Sequence, residues 1–179
     1  IHRVRVWTRD PENGRQFVER ESRRHNIQVD LMPTVQAAVQ GADIICTTTS
    51  SPDPILPGKY LSPGSHINAV GSSVPFAREL DTEAVVKSRL FVDRRESTVN
   101  EAGDFLIPKK EGAVNDDHIQ GEIGEILMGK ARGRKSAEEI TLFKSLGLAV
   151  EDLASANHIY KKAIEKGMGT QVELGGSRH

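Results

Sequence analysis

Residues 41–73 read GADIICTTTSSPDPILPGKYLSPGSHINAVGSS, and this stretch decides the fold. Two short apolar, β-rich runs stand in it, at 44–48 and 65–70. The first passes into Thr47, Thr48, Thr49, Ser50 and Ser51, the second into Gly71, Ser72 and Ser73. Runs without polar alternation suit strands covered on both faces, as in a parallel sheet flanked by helices. Such sheets bind ligands outside the carboxyl ends of their strands. Two adjacent strand ends carrying hydroxyls, glycine and free backbone donors therefore make a candidate ligand floor.

Working outward, residues 2–8 (HRVRVWT) alternate as a strand does. Asp10 is placed as an N-cap and Pro11 as a first helical residue, so a helix is expected over 12–24. A second strand is expected at 27–31 and a short helix at 34–39, with Gly41 ending it. Beyond the central stretch, 81–88 reads as a helix, 90–92 as a strand, 121–128 as a helix and 140–143 as a strand. A long helix follows over 149–166, with Val150, Leu153, Ala154 and Ile164 on one stripe and Gly167 past its end. Residues 108–118 and 130–138 read as polar surface loops, and 167–179 as a flexible tail. Strand and helix alternate without internal repeat, so the class is α/β with a mostly parallel sheet.

Composition narrows the function. A chain of 179 residues is about one domain. A net charge of −1 with 27% charged residues offers no field for nucleic acid or an anionic membrane. No apolar run reaches the roughly 18–20 residues that span a bilayer. The single cysteine, Cys46, lies within an apolar strand and reads as a buried structural thiol rather than a nucleophile. One cysteine excludes an intrachain disulfide framework, which fits a reducing, cytoplasmic setting.

The turn Thr8-Arg9-Asp10 carries the cofactor question. In dinucleotide-binding sheets, an acidic residue ending the second strand accepts from the ribose 2′-hydroxyl of NAD. An arginine there can pair with the 2′-phosphate of NADP. Here Asp10 is better used as the helix cap, which leaves Arg9 either as a phosphate contact or as one more surface arginine. Other features carry less. The span Gly124–Lys130 has P-loop spacing, but Ala131 stands where a magnesium-binding hydroxyl is needed. Asp116, Asp117 and His118 have metal-ligand chemistry with nothing converging on them, so no metal is expected. His66 reads as a hydrogen-bonded structural histidine, and Glu122 and Glu125 as a polar helix face.

Three blocks, GADIICTTTSSPDPIL, GSHINAVGSSVPFARELD and TLFKSLGLAVEDLASANHIY, together resemble the ornithine cyclodeaminase and mu-crystallin family. That family also holds an archaeal type of alanine dehydrogenase and reductases of cyclic imines. The resemblance implies a doubly wound Rossmann domain over 1–166 carrying NAD(H) or NADP(H). It also implies a separate substrate domain through which the protein forms a homodimer, absent from these residues. By the same resemblance Thr8, Arg9, Asp10 and Asn13 would surround the adenosine phosphate. Thr48, Thr49 and Ser50 would lie along the dinucleotide, Val70, Gly71 and Ser73 towards the nicotinamide, and Ser145 and Leu146 would close the pocket. The turn WTRDPEN is similar to the mu-crystallin form, which favours NADP(H), with NAD(H) as the alternative.

The departures also inform. The glycine-turn strand that cradles a pyrophosphate is not among these residues, nor are the family's substrate-binding arginine and catalytic lysine. In the usual strand order the missing strand lies between the strands at 4–7 and 44–48, so Val6 and Ile45 are expected not to pair. The catalytic residues of this chain are therefore unknown from sequence. Ser73 occupies the position of the cyclodeaminase aspartate, and a hydroxyl is no carboxylate base near neutral pH. The resemblance thus implies an NAD(P)H-dependent reductase of small imino or amino acids. The alternatives are an ornithine cyclodeaminase, an alanine dehydrogenase-like enzyme and a non-catalytic small-ligand binder.

Overall fold

A computed structural model describes residues 1–172 and 175. Two compact units divide it after Leu146. In the first, β1 (Arg3–Val6) leads into α1 (Pro11–His25), β2 (Gln28–Leu31) and α2 (Val35–Val39). Asp10 caps α1 by accepting from the N–H groups of Glu12 and Asn13, and Pro11 opens the helix. Thr34 caps α2 in the same way through Ala37 N–H. Side-chain oxygens satisfy donors that a helix start leaves unpaired, which is why the Asp10–Pro11 boundary was legible.

The chain continues through β3 (Ile44–Thr47), β4 (His66–Ala69), α3 (Thr82–Lys87), β5 (Ser88–Val92), α4 (Arg95–Glu101) and α5 (Gly103–Lys110). Then come β6 (Ile119–Glu122), α6 (Ile123–Leu127) and β7 (Ile140–Lys144). Strands β3 to β7 form one sheet in the order β3-β4-β7-β5-β6, and every pairing is parallel. Across it, Ile45, Ile67, Leu142 and Leu90 stand in register in one buried row. Each such side chain contributes about 1.5–3 kcal/mol when fully buried. Strands β1 and β2 form a separate parallel pair, in which Val6 stands opposite Leu31, and β3 pairs with β4 alone. Val6 and Ile45 do not pair with each other, as expected.

Several expectations are corrected. The helix expected over 121–128 begins as strand β6, and α6 starts only at Ile123. Gly121 is buried against Ala131, a placement that suits a strand residue and that local helical periodicity could not report. The loop expected over 108–118 starts inside α5, where Pro108 is buried, and ends in a 3-10 turn at Asp116–His118. Helices α4 and α5 were not foreseen: α4 (RESTVNE) is polar, and in α5 (GDFLIPKK) the apolar residues run consecutively ahead of Pro108 instead of forming a helical stripe. Strand β3 is covered on one face only: Ile45 and Thr47 are buried, whereas Ile44 is 57% exposed. Cys46 shares the open face and is exposed, not buried.

The second unit, from Gly147 on, contains α7 (Ala149–Glu165), followed by Gly167 at φ +61°. Its apolar positions Val150, Leu153, Tyr160 and Ile164 are exposed. Part of the tail expected over 167–179 lies outside the described residues. Among those described, no helix is long and apolar enough to cross a membrane.

Candidate functional site

Parallel register brings four strand ends level. Thr47 stands opposite Ala69, Ala69 opposite Lys144, and Lys144 opposite Val92. The loops that follow these residues therefore share one edge of the sheet. They carry Thr48–Ser50, Val70–Ser73, Ser145–Leu146 and Asp93. The sequence placed three of these four loops in one site, and the structure brings them together.

The hydroxyl side chains of Thr48, Ser50 and Ser73 are exposed and make no hydrogen bond among the described residues. The loop backbone beside them is held. Val70 and Gly71 N–H groups both donate to Thr47 O, at 3.0 and 3.1 Å. Gly71 has no room for a side chain, since a Cβ would run into the backbone of Thr49 and lie 2.5 Å from Glu79 Oε1. Asp93, just past β5, accepts from Leu146 N–H at 2.6 Å and from Ser145 Oγ at 3.3 Å, fixing that loop.

Beneath these loops lie charged groups that the sequence reading missed. Lys144 ends β7 with its ammonium 3.1 Å from Asp104 Oδ2, and the pair is 1% and 2% exposed. Glu79 is fully buried. A lysine closing an otherwise apolar strand and an aspartate directly after LFV were the available signals. Neither can be told from surface charge until the strands are ordered.

The second group of expected residues sits at the end of β1. Asp10 Oδ1 serves the α1 cap, and its Oδ2 accepts from Asn13 Nδ2 at 2.9 Å, so Asp10 and Asn13 engage each other. Arg9 is exposed and unpaired among the described residues, and Thr8 is half-buried. Between β1 and β3 runs a cleft lined by Arg5, Trp7, Val39, Ile44, Cys46 and Thr47–Thr49, among others. The β1 end and the Thr48–Thr49 loop thus border one cleft. At about 130 Å³ it falls below the roughly 300–1,000 Å³ of ligand pockets. Thr47 Oγ1, on its wall, is buried without a hydrogen-bond partner among the described residues. A wider hollow of about 410 Å³ follows the outer face of α1. Its Arg20 and Arg23 pair with Glu21 and Glu19, so it reads as a solvated helix face.

His66 lies at the opposite, amino end of β4. Its Nδ1 is 2.7 Å from Thr141 Oγ1 and its Nε2 3.3 Å from Asn68 Oδ1. The amide oxygen can only accept, so the proton is assigned to Nε2. Burial pushes its pKa below the ordinary value; the Asn68 bond opposes this and the nearby Arg134 adds to it. Glu122 and Glu125 form a capping box at the start of α6. Asp116 pairs with Lys109 at 2.5 Å, and His118 Nε2 lies 3.0 Å from Val85 O.

Residues 1–167 match the profile of the ornithine cyclodeaminase/mu-crystallin family. The chain belongs to that family. It is 36% identical over 175 residues to a Delta(1)-pyrroline-2-carboxylate reductase of Bacillus cereus, covering 97% of this chain and 54% of that relative. It is 42% identical over 159 residues to the ketimine reductase mu-crystallin of Mus musculus, covering 88% and 46%. Among solved structures, the Delta(1)-pyrroline-2-carboxylate reductase of Thermococcus litoralis, in complex with NADH and L-proline, superimposes with a TM-score of 0.90. The identity there is 41%, and the match covers 96% of this chain and 53% of that one. The chain therefore spans about half the length of the relatives it matches.

Proposed function

We propose that this family member is the dinucleotide-binding part of an NAD(P)H-dependent reductase of small cyclic imino acids. The observation that carries the reading is the alignment of exposed, unpartnered hydroxyls at the carboxyl ends of adjacent parallel strands, over loops whose backbones are fixed. Ligands sit at this edge in open α/β sheets, and two relatives of the chain are reductases of C=N compounds by name, a pyrroline-2-carboxylate and a ketimine. The orphaned Thr47 hydroxyl in the cleft wall also fits a site that a further group completes.

The dinucleotide, when bound, supplies the hydride. The chain's share is binding and orientation. Thr48, Thr49 and Ser50 lie along the dinucleotide, Val70, Gly71 and Ser73 face the nicotinamide end, and Ser145 and Leu146 close the pocket. Thr8, Arg9, Asp10 and Asn13 form the adenosine end. With Asp10 and Asn13 engaged with each other, Arg9 is left free for a 2′-phosphate, so NADP(H) is the preferred form. The chain's domain is 1–166. A further strand from the same protein enters the cleft between β1 and β3, and a substrate domain completes a homodimer in the cytoplasm.

The test uses the full-length protein with NADPH and Delta(1)-pyrroline-2-carboxylate. Loss of nicotinamide absorbance that depends on the imine is the expected result. Ammonia release from ornithine without net cofactor consumption would replace this reading with a cyclodeaminase, despite Ser73. Binding of the ligand without turnover of either substrate would leave a binding protein.

A further inference from the structure

The loops after β3 and β4 are joined by a group from neither strand. Thr49 N–H donates to Glu79 Oε1 at 2.5 Å, and Gly71 N–H donates to Glu79 Oε2 at 2.9 Å. One carboxylate oxygen thus serves each loop, and the side chain is 0% exposed. Bonds from backbone N–H to an ionised carboxylate are about twice as strong as neutral ones.

Glu79 is itself immobilised. Its N–H donates to Asp104 Oδ1 at 2.8 Å, and its carbonyl accepts from Ile55 and Leu56 at 2.8 and 2.9 Å. Asp104 is held by Lys144, whose ammonium also donates to Ala69 O at 3.3 Å and to Ser72 O. The chain of contacts runs from the end of β7 through α5 to Glu79, and from Lys144 directly to the turn after β4. Both routes end on the loop that carries Gly71 and Ser73.

A buried network of this kind can serve stability alone. Two observations point further. Both Glu79 oxygens go to loop backbone, not to the core. Gly71 is also pressed so close to Thr49 that a side chain has no place. Val70 and Gly71 N–H also reach Thr47 O directly at the strand ends; beyond that point the separation of the two loops is set by the carboxylate between them, and with it the placement of Thr48, Ser50 and Ser73.

We propose that Glu79 is a positioning residue that holds the two dinucleotide-contacting loops at their working separation, so that its loss weakens cofactor binding more than it weakens the fold. The proposal rests on the cofactor reading above. Glu79→Gln keeps the size of the side chain but turns an amide donor towards one of the two N–H groups. In the full-length protein the Kd for NADPH, followed by nicotinamide fluorescence, should rise at least about tenfold. The kcat at saturating NADPH should fall less than about threefold, because positioning acts through binding. Glu79→Asp, too short to reach both loops, should show an intermediate loss. In the unmodified protein, Thr49 and Gly71 amides should exchange with solvent more slowly than those of Ser50 and Ser73. Unchanged NADPH affinity in a folded Glu79→Gln protein would overturn the proposal. Unfolding of that variant, or rapid exchange of the Thr49 and Gly71 amides, would do the same. Failure of the unmodified protein to bind either dinucleotide would instead sink the cofactor reading itself.

Discussion

The carboxyl edge of the five-stranded sheet and the β1–β2 pair hold their candidate site residues in opposite ways. On the five-stranded sheet, loop backbones are gripped from below by Glu79, Asp93, Asp104 and Lys144, each buried. The exposed hydroxyls above them inherit that rigidity. The β1–β2 pair has no such buried charges beneath it among the described residues. Arg5 ties β1 to the carbonyls of Ala37 and Gln40 at 3.2 and 2.8 Å, and Arg3 pairs with Asp30 at 2.6 Å on an exposed surface. Exposed ion pairs are worth about 0–1 kcal/mol. One region positions small polar groups by buried charge, and the other presents Arg9, exposed and without a partner among the described residues. Substitutions should therefore cost fold and loop geometry in the first region, and only ligand discrimination in the second.

The largest effect is expected at Lys144. Lys144→Met leaves Asp104 as a buried charge without its cation, which costs about 3–5 kcal/mol. Urea unfolding of the full-length protein measures it, and a loss below about 1 kcal/mol would break the contrast between the regions. Gly71→Ala comes next, at about 1–3 kcal/mol for overpacking against the Thr49 backbone. It should also weaken NADPH binding, so a variant with normal affinity and stability would show that the loops part easily.

Arg9→Ala should leave the melting midpoint unchanged. It should weaken NADPH by about 10- to 100-fold, the value of a charge-assisted contact of about 1.5–3 kcal/mol, and leave NADH nearly untouched. Equal losses for both dinucleotides would remove Arg9 from the 2′-phosphate.

The smallest effect belongs to His66. Its pKa in the native state is lowered, first by burial. Below about pH 6.5, the ordinary histidine value, the unfolded chain therefore binds more protons than the native one. The stability contribution is complete above that pH and is lost as pH falls towards the native pKa. His66→Gln should remove that part of the slope in unfolding midpoints. A slope unchanged by the substitution would exclude His66 as its source.

Much of the frame was legible residue by residue. Asp10-Pro11 marked a helix start because capping is a local exchange between one side chain and the next turn, whereas Thr34 and Asp81, read as first helical residues, are the caps just outside their helices. The apolar runs at 44–48, 65–70 and 90–92 marked strands for the same local reason, and the blocks around them carried the family. What failed was non-local. Gly121 sits in a strand because it pairs beside β5 (Phe91 opposite Gly121), not because of its neighbours in sequence. Cys46 is exposed because nothing among the described residues covers that face of β3.

The sequence by itself determined the α/β alternation, the family and the hydroxyl-rich loops, since each depends on residues within a turn or two of one another. Only the tertiary structure decided which charges lie beneath those loops. Glu79, Asp104 and Lys144 are 25 to 65 residues apart along the chain. A lysine or glutamate in a polar stretch reads as solvated until strand order places it. Here β7 enters between β4 and β5, which sets Lys144 beside Ala69 and within reach of Asp104. That insertion turns three unremarkable charges into the support of the site.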